Sequence, residues 1–166
     1  MGDILITKNF KLSEFAVSAE FPEYQEQMRS ILLDDETDMF LFSEYLKNIV
    51  TDKLFLLCYL VLQPTRDSFK VPIHILSGWR IESLNQKLVE QRRASKNSLH
   101  LTGSAADFTV DDKALLPEIF KWLKYTKDDT FSELILYKHP DGTPNFIHVA
   151  LPSMAKKEVY IDEVVR

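Results

Sequence analysis

The stretch "SELILYKHPDGTPNFIHVAL", residues 132–151, contains two strands and the turn between them. "SELILYK" and "NFIHVAL" carry the β-branched and aromatic residues that suit a pleated, half-buried surface. Between them "HPDGTP" holds proline, aspartate and glycine, which favour a reverse turn, in a linker of hairpin length. Alternation along the second strand puts Phe146, His148 and Ala150 on one face and Ile147, Val149 and Leu151 on the other. A histidine in an otherwise apolar strand is costly to bury unless its ring nitrogens are satisfied.

Working outward from the hairpin, "VPIHIL" (71–76), "AADFTV" (105–110) and "EVYIDEVV" (158–165) read as further strands. "IESLNQKLVEQRR" reads as a helix with Leu84 and Leu88 four apart. "DDKALLPEIFKWLKYT" reads as another, with Asp111 or Asp112 near its start to suit the helix dipole. The first third of the chain reads as helical. Ser13 in "KLSEFAVS" is placed to cap a short helix. "PEYQEQMRSILL" sets Tyr24, Met28, Ile31 and Leu32 at helical spacing. "SEYLKNIVTDKLFLLCYLVLQP" is a long helix with a broad apolar face, stopped near Pro64, and is the predicted spine of the core. Helices first and hairpin-linked strands later predict an α+β fold with an antiparallel sheet, as one domain over residues 1–166.

The chain has 166 residues, enough to bury a core without disulfides, with 45% hydrophobic and 27% charged residues. A formal net charge of −5 argues against a nucleic-acid partner, which needs clustered cations. The nearest cluster, "QRRASK" (91–96), suits a solvated helix end as well as an anion site. The single cysteine, Cys58, lies in the apolar run "KLFLLCYLVL", where a buried small hydrophobe is expected. "MGDILITKNF" lacks the basic start and apolar run of a signal peptide, and Ile6 breaks the myristoylation pattern. The longest apolar stretch, residues 54–62, is far short of the ~20 residues that span a bilayer. The expectation is a monomer without a membrane span, made in the cytoplasm and kept there unless something else exports it.

The chemistry centres on "SLHLTGSAADFTV", residues 98–110. The chain has only four glycines, where the usual frequency gives about twelve. Three of them, Gly78, Gly103 and Gly142, punctuate "SGWR", "LHLTGSAAD" and "HPDGTP", which marks these as specialised turns. His100 and Asp107 are seven positions apart. On one helix that spacing is about 10.5 Å of rise, too far for shared ligation. On one strand it puts them on opposite faces. A turn at Thr102-Gly103 followed by a strand lets them converge. That strand presents Ala105, Asp107 and Thr109 on one face and Ala106, Phe108 and Val110 on the other. Of the four histidines, His148 fits best as a third ligand. Two imidazoles, one carboxylate and an open position form the pattern of a catalytic zinc. The competing reading is that His100 caps a turn and His148 is a hydrogen-bonded core residue.

"SLHLTGSAAD" resembles a signature of the M15 peptidases, the zinc D-Ala-D-Ala carboxypeptidases and related murein endopeptidases. The family's Ser, His, Gly, Ala and Asp fall on Ser98, His100, Gly103, Ala105 and Asp107. "SGWR" is similar to the family's upstream Ser-Gly-Tyr-Arg, Asn85 sits where the family often has "LN", and "FIHVAL" is similar to its closing strand. "KNFKLSEF" and "LQPTRD" also resemble segments of the carboxypeptidase-domain branch. The resemblance implies a small antiparallel sheet with flanking helices, as in the hedgehog/DD-peptidase fold. It implies zinc on His100, Asp107 and His148, and a peptidoglycan stem peptide containing D-alanine as substrate. Arg80 would hold a substrate carboxylate or polarise the scissile carbonyl, with a structural ion pair as its alternative, and Ser98 would join the substrate site.

Many family members place the catalytic acid three residues before the last histidine. Here that position is Asn145, which cannot act as a base. Ile147 replaces the aromatic before the histidine, and "VEQRRASKNS" replaces a glycine pair. Glu133, Asp141 and His139 are the candidates to supply a base: Glu133 lies on a strand and points either toward or away from the site, and Asp141 and His139 sit in the hairpin next to His148, although "HPDG" is also ordinary turn chemistry. Two main readings follow. One is an active zinc peptidase, with delivery to the cell wall by a phage compatible with the missing signal peptide. The other is a weak or inactive relative that binds cell-wall peptides or has a structural role. A third is a metal-free α+β domain whose cleft serves protein contacts.

Overall fold

The computed structural model describes residues 3–18, 20–33, 41–127, 129–152 and 160–165. In it the hairpin strands β5 (Glu133–Lys138) and β6 (Pro144–Ala150) pair antiparallel, with Ile135 opposite His148 and Tyr137 opposite Phe146. β4 (Ala105–Thr109) pairs antiparallel with the other side of β6, and β3 (His74–Ser77) pairs antiparallel with β4. β7 (Tyr160–Val165) completes the order β3-β4-β6-β5-β7, and it runs parallel to β5. The architecture is α+β, as expected, with one correction: the sheet is antiparallel except at this pair. β7 lies on the far side of β5 from β6, opposite in direction to β6 and in the same direction as β5. Glu158 and Val159, expected to open the last strand, lie outside the described residues.

The alternation read from the sequence sorts the sheet into two faces. Ala106, Phe108, Leu134, Leu136, Ile147 and Val149 face the core and are fully buried. Each large apolar side chain so buried contributes ~1.5–3 kcal/mol relative to exposure. α4 (Leu116–Thr126) covers this face with Leu116, Ile119, Phe120 and Leu123, a helical stripe. Its entry is a 3₁₀ turn over Lys113–Leu115, where the Asp112 carboxylate accepts from the Ala114 N–H at 3.1 Å. α1 (Pro22–Leu33) adds Met28 and Leu32, and β1 (Leu5–Thr7) pairs with β2 (Phe10–Lys11) as a small separate ribbon.

α2 (Leu41–Leu57) supplies Val50, Leu54 and Leu57 to the core, as the predicted spine. It does not stop near Pro64. A π turn over Cys58–Leu62 carries the chain into α3 (Gln63–Phe69), and the Gln63 N–H bonds back to the Cys58 carbonyl. The widened turn sits just ahead of Pro64 and relieves the clash its ring makes with a regular helix. The helix ends at Lys70, which takes a left-handed φ of 57°. Cys58 is fully buried, and burial pushes its thiol pKa well up, as suits an inert core residue.

Ser13 is also not the cap expected of it. It lies inside the short turn Leu12–Phe15, and its N–H and hydroxyl both bond to Asp3. The Lys11 N–H instead donates to Glu14 at 2.8 Å.

Candidate metal centre

The site is assembled from one turn and three strands on the sheet face away from the core. The turn, Leu99–Thr102, follows Ser98, whose Oγ accepts from the His100 N–H at 3.4 Å. It ends at Gly103, where φ is +70° and the N–H bonds to the His100 carbonyl at 3.2 Å. A Cβ on Gly103 would stand 2.8 Å from the Val50 carbonyl oxygen. The glycine is required by both backbone conformation and space. This close packing on α2 seats His100 at 3% exposure. Its Nδ1–H donates to the Gly78 carbonyl at 2.6 Å, so Nε2 is the nitrogen left facing Asp107 Oδ1, at 3.5 Å.

Asp107 and His148 are cross-strand partners in the β4–β6 register. Directly opposed residues share a face, and His148 Nδ1 lies 2.7 Å from Asp107 Oδ1. On its other side, His148 Nε2 lies 3.1 Å from Glu133 Oε2. The donor atoms of His100, Asp107 and His148 all fall within 4.8 Å of one another. A tetrahedral shell built on bonds of ~2.1 Å needs donors about 3.4 Å apart, so small side-chain adjustments suffice.

The donor set fits a cation. His148 meets a carboxylate at each nitrogen, but a neutral imidazole has one N–H to give. Such a set is completed either by an imidazolium or by a metal ion between Nδ1 and Asp107. Burial lowers the His100 pKa below its ordinary value, although Asp107 opposes this. Burial by itself works to raise the Asp107 pKa. The adjacent His100 and His148 override it and hold the carboxyl far below the usual range. The neutral imidazole and the ionised carboxylate are the forms that bind metal.

A cleft of about 360 Å³ opens over these groups, lined among others by Arg80, Ser98 and Glu133. Arg80 is buried and donates to two neutral oxygens, Asn85 Oδ1 at 3.3 Å and Ser77 Oγ at 3.0 Å. Asn85 is itself held by the Ser95 carbonyl at 3.0 Å. Burial lowers the Arg80 pKa, with Asp107 working against that. A guanidinium still carries its charge at neutral pH, so a cation with neutral partners faces the cleft. Sequence reasoning missed the stacked pair Tyr137 and Phe146, centroids 4.6 Å apart, which walls the cleft. The signal was available in their alternation with Ile135 and His148.

The three candidate bases lie in different places. Glu133 is opposite Ala150, which puts it on the His148 face and inside the cleft. Asp141 is exposed in the hairpin turn and accepts from the Thr143 N–H and hydroxyl, at 2.9 and 2.6 Å. His139 lies in the same turn, its N–H bonded to the Thr143 carbonyl, and neither residue lines the cleft. Asn145 is on the opposite face from His148, as an odd spacing in a strand dictates, and accepts from Lys113 Nζ at 3.1 Å.

Residues 37–150 of the chain match the peptidase M15 family. No curated protein matches the chain. Among the described residues, no helix is long and apolar enough to cross a membrane.

Proposed function

We propose that this chain, which belongs to the peptidase M15 family and takes from it the general role of a peptidase, is a zinc peptidase acting on D-alanine-containing stem peptides of peptidoglycan. The observation that carries the reading is the convergence of His100, Asp107 and His148 from a turn and two strands. Those three residues would hold the zinc. When bound, zinc supplies Lewis acidity toward a carbonyl and acidifies a water ligand.

The chain's own groups do the rest. Arg80, steadied by Asn85 and Ser77, keeps donors for a substrate carboxylate or for the scissile carbonyl oxygen. Ser98 lies at the rim of the same cleft and fixes the turn that carries His100. The Tyr137–Phe146 pair gives the peptide a flat apolar wall.

A second reading, a weak or inactive relative that holds cell-wall peptides, is favoured by a specific observation. Asn145 occupies the usual acid position, and the Glu133 carboxylate is engaged by His148. Digestion of purified peptidoglycan and of a D-Ala-D-Ala peptide by the zinc-loaded chain separates the two. Product that is lost on His100→Ala and on chelation supports the peptidase. A zinc-loaded chain inert on both substrates overturns it in favour of the binding role.

A further inference from the structure

We propose that Glu133 is a positioning residue for His148: its carboxylate holds the ring by Nε2 so that Nδ1 faces the metal position. This rests on the reading of His148 as a ligand and deepens it. A carboxylate only accepts, so in the ring form with its proton on Nε2 the 3.1 Å contact is a hydrogen bond from Nε2–H to Glu133, and this is the form that leaves Nδ1 for a metal. Nδ1 then presents its lone pair 2.7 Å from Asp107 Oδ1. In that form the two facing acceptors repel unless a metal ion or a second ring proton lies between them.

His100 shows the same arrangement with a different partner. Its Nδ1–H is tied to the Gly78 carbonyl, and Nε2 is turned toward Asp107. Each imidazole thus has one nitrogen fixed by an acceptor and the other aimed at the shared carboxylate. Glu133 does for His148 what the Gly78 carbonyl does for His100. The strand ladder fixes Glu133 opposite Ala150, two residues beyond His148 on the same face. Its side chain is 14% exposed, so water competes weakly for the contact. The carboxylate also meets the ring at the nitrogen remote from Asp107. The imidazole therefore stands between Glu133 and the metal position, which suits an orienting group better than a base. Such partners fix ring orientation and raise ligand basicity.

The test measures zinc affinity of the full-length chain by competition with a chromogenic chelator, alongside peptide hydrolysis at saturating zinc. Glu133→Ala is expected to weaken zinc binding roughly 10- to 100-fold. Glu133→Gln keeps an amide oxygen that accepts from Nε2–H, so it is expected to retain most of the affinity and whatever hydrolysis the parent shows. Nitrogen-15 NMR of the zinc-loaded parent is expected to show metal on Nδ1 and a proton on Nε2 of His148, a readout that needs no variant to fold. The proposal is overturned by unchanged zinc affinity in Glu133→Ala. It is also overturned if Glu133→Gln binds zinc normally but loses all hydrolysis, which would mark a base, or if the metal sits on Nε2. Equal zinc binding by the parent and His148→Ala would overturn the metal reading itself, and this refinement with it.

Discussion

The turn at His100 and the turn at His139 are built from similar parts. In each, a glycine three residues after the histidine takes a positive φ, +70° at Gly103 and +83° at Gly142. In each, the glycine N–H bonds back to the histidine carbonyl, at 3.2 and 2.8 Å. What differs is the ground beneath them. Gly103 rests on the backbone of Val50, whereas a Cβ on Gly142 would meet nothing within 4 Å. The first turn is pressed into the molecule and its histidine is buried among groups that could hold a metal ion. The second projects from the end of a hairpin, with Asp141 spent on the turn itself. Turn chemistry makes the bend, and tertiary packing decides whether the bend carries a site.

Exchanging the histidines tests that contrast most severely. His100→Ala should abolish stoichiometric zinc uptake and the rise in Tm on adding zinc, and His139→Ala should leave both at the parental level. Elemental analysis after dialysis, with melting curves, decides it. Loss of zinc in both variants would break the distinction.

The glycines give the next largest difference. Gly103→Ala combines ~1–2 kcal/mol for a left-handed side-chain residue with ~1–3 kcal/mol of overpacking against Val50. Gly142→Ala carries only the first cost, about 1–2 kcal/mol. Urea unfolding of both variants measures the gap, and equal losses would mean that the contact with Val50 is immaterial.

A smaller effect is expected at Asp141. Its replacement by Ala removes two hydrogen bonds at an exposed turn and should destabilise by about 1 kcal/mol or less, with zinc affinity unchanged.

The smallest is a pH slope in the metal-free chain. Burial lowers the folded-state pKa of His100, so below about 6.5 the unfolded chain binds a proton that the folded one refuses. Stability should therefore fall as pH drops through about 6.5. His100→Ala should flatten that slope in denaturation series between neutral and mildly acidic pH.

Much of this is legible in the sequence alone. Period-2 alternation in "AADFTV" and "NFIHVAL" assigned Asp107 and His148 to one kind of face and Phe108, Ile147 and Val149 to the other, and the sheet has that division. Glu133 was harder. Alternation sorts a strand's residues into two sets, but only the pairing register says which set shares a face with a given neighbour. That register depends on how "HPDGTP" turns, with an irregularity between Tyr137 and Lys138. Parallel pairing of β7 leaves no local mark, because it depends on where the chain goes after β6. Pro64 misled because its rule assumes a regular helix, and a π turn ahead of it changes the geometry. At Ser13 a capping residue type found a better acceptor in Asp3, ten residues away in sequence.

The account stands on one cation shared by two imidazoles and a carboxylate. X-ray absorption at the zinc edge of the loaded full-length chain addresses this directly. The predicted spectrum has only nitrogen and oxygen neighbours, with multiple scattering from two imidazoles that falls to one in His148→Ala. A spectrum without imidazole scattering, or one that His148→Ala leaves unaltered, would contradict it.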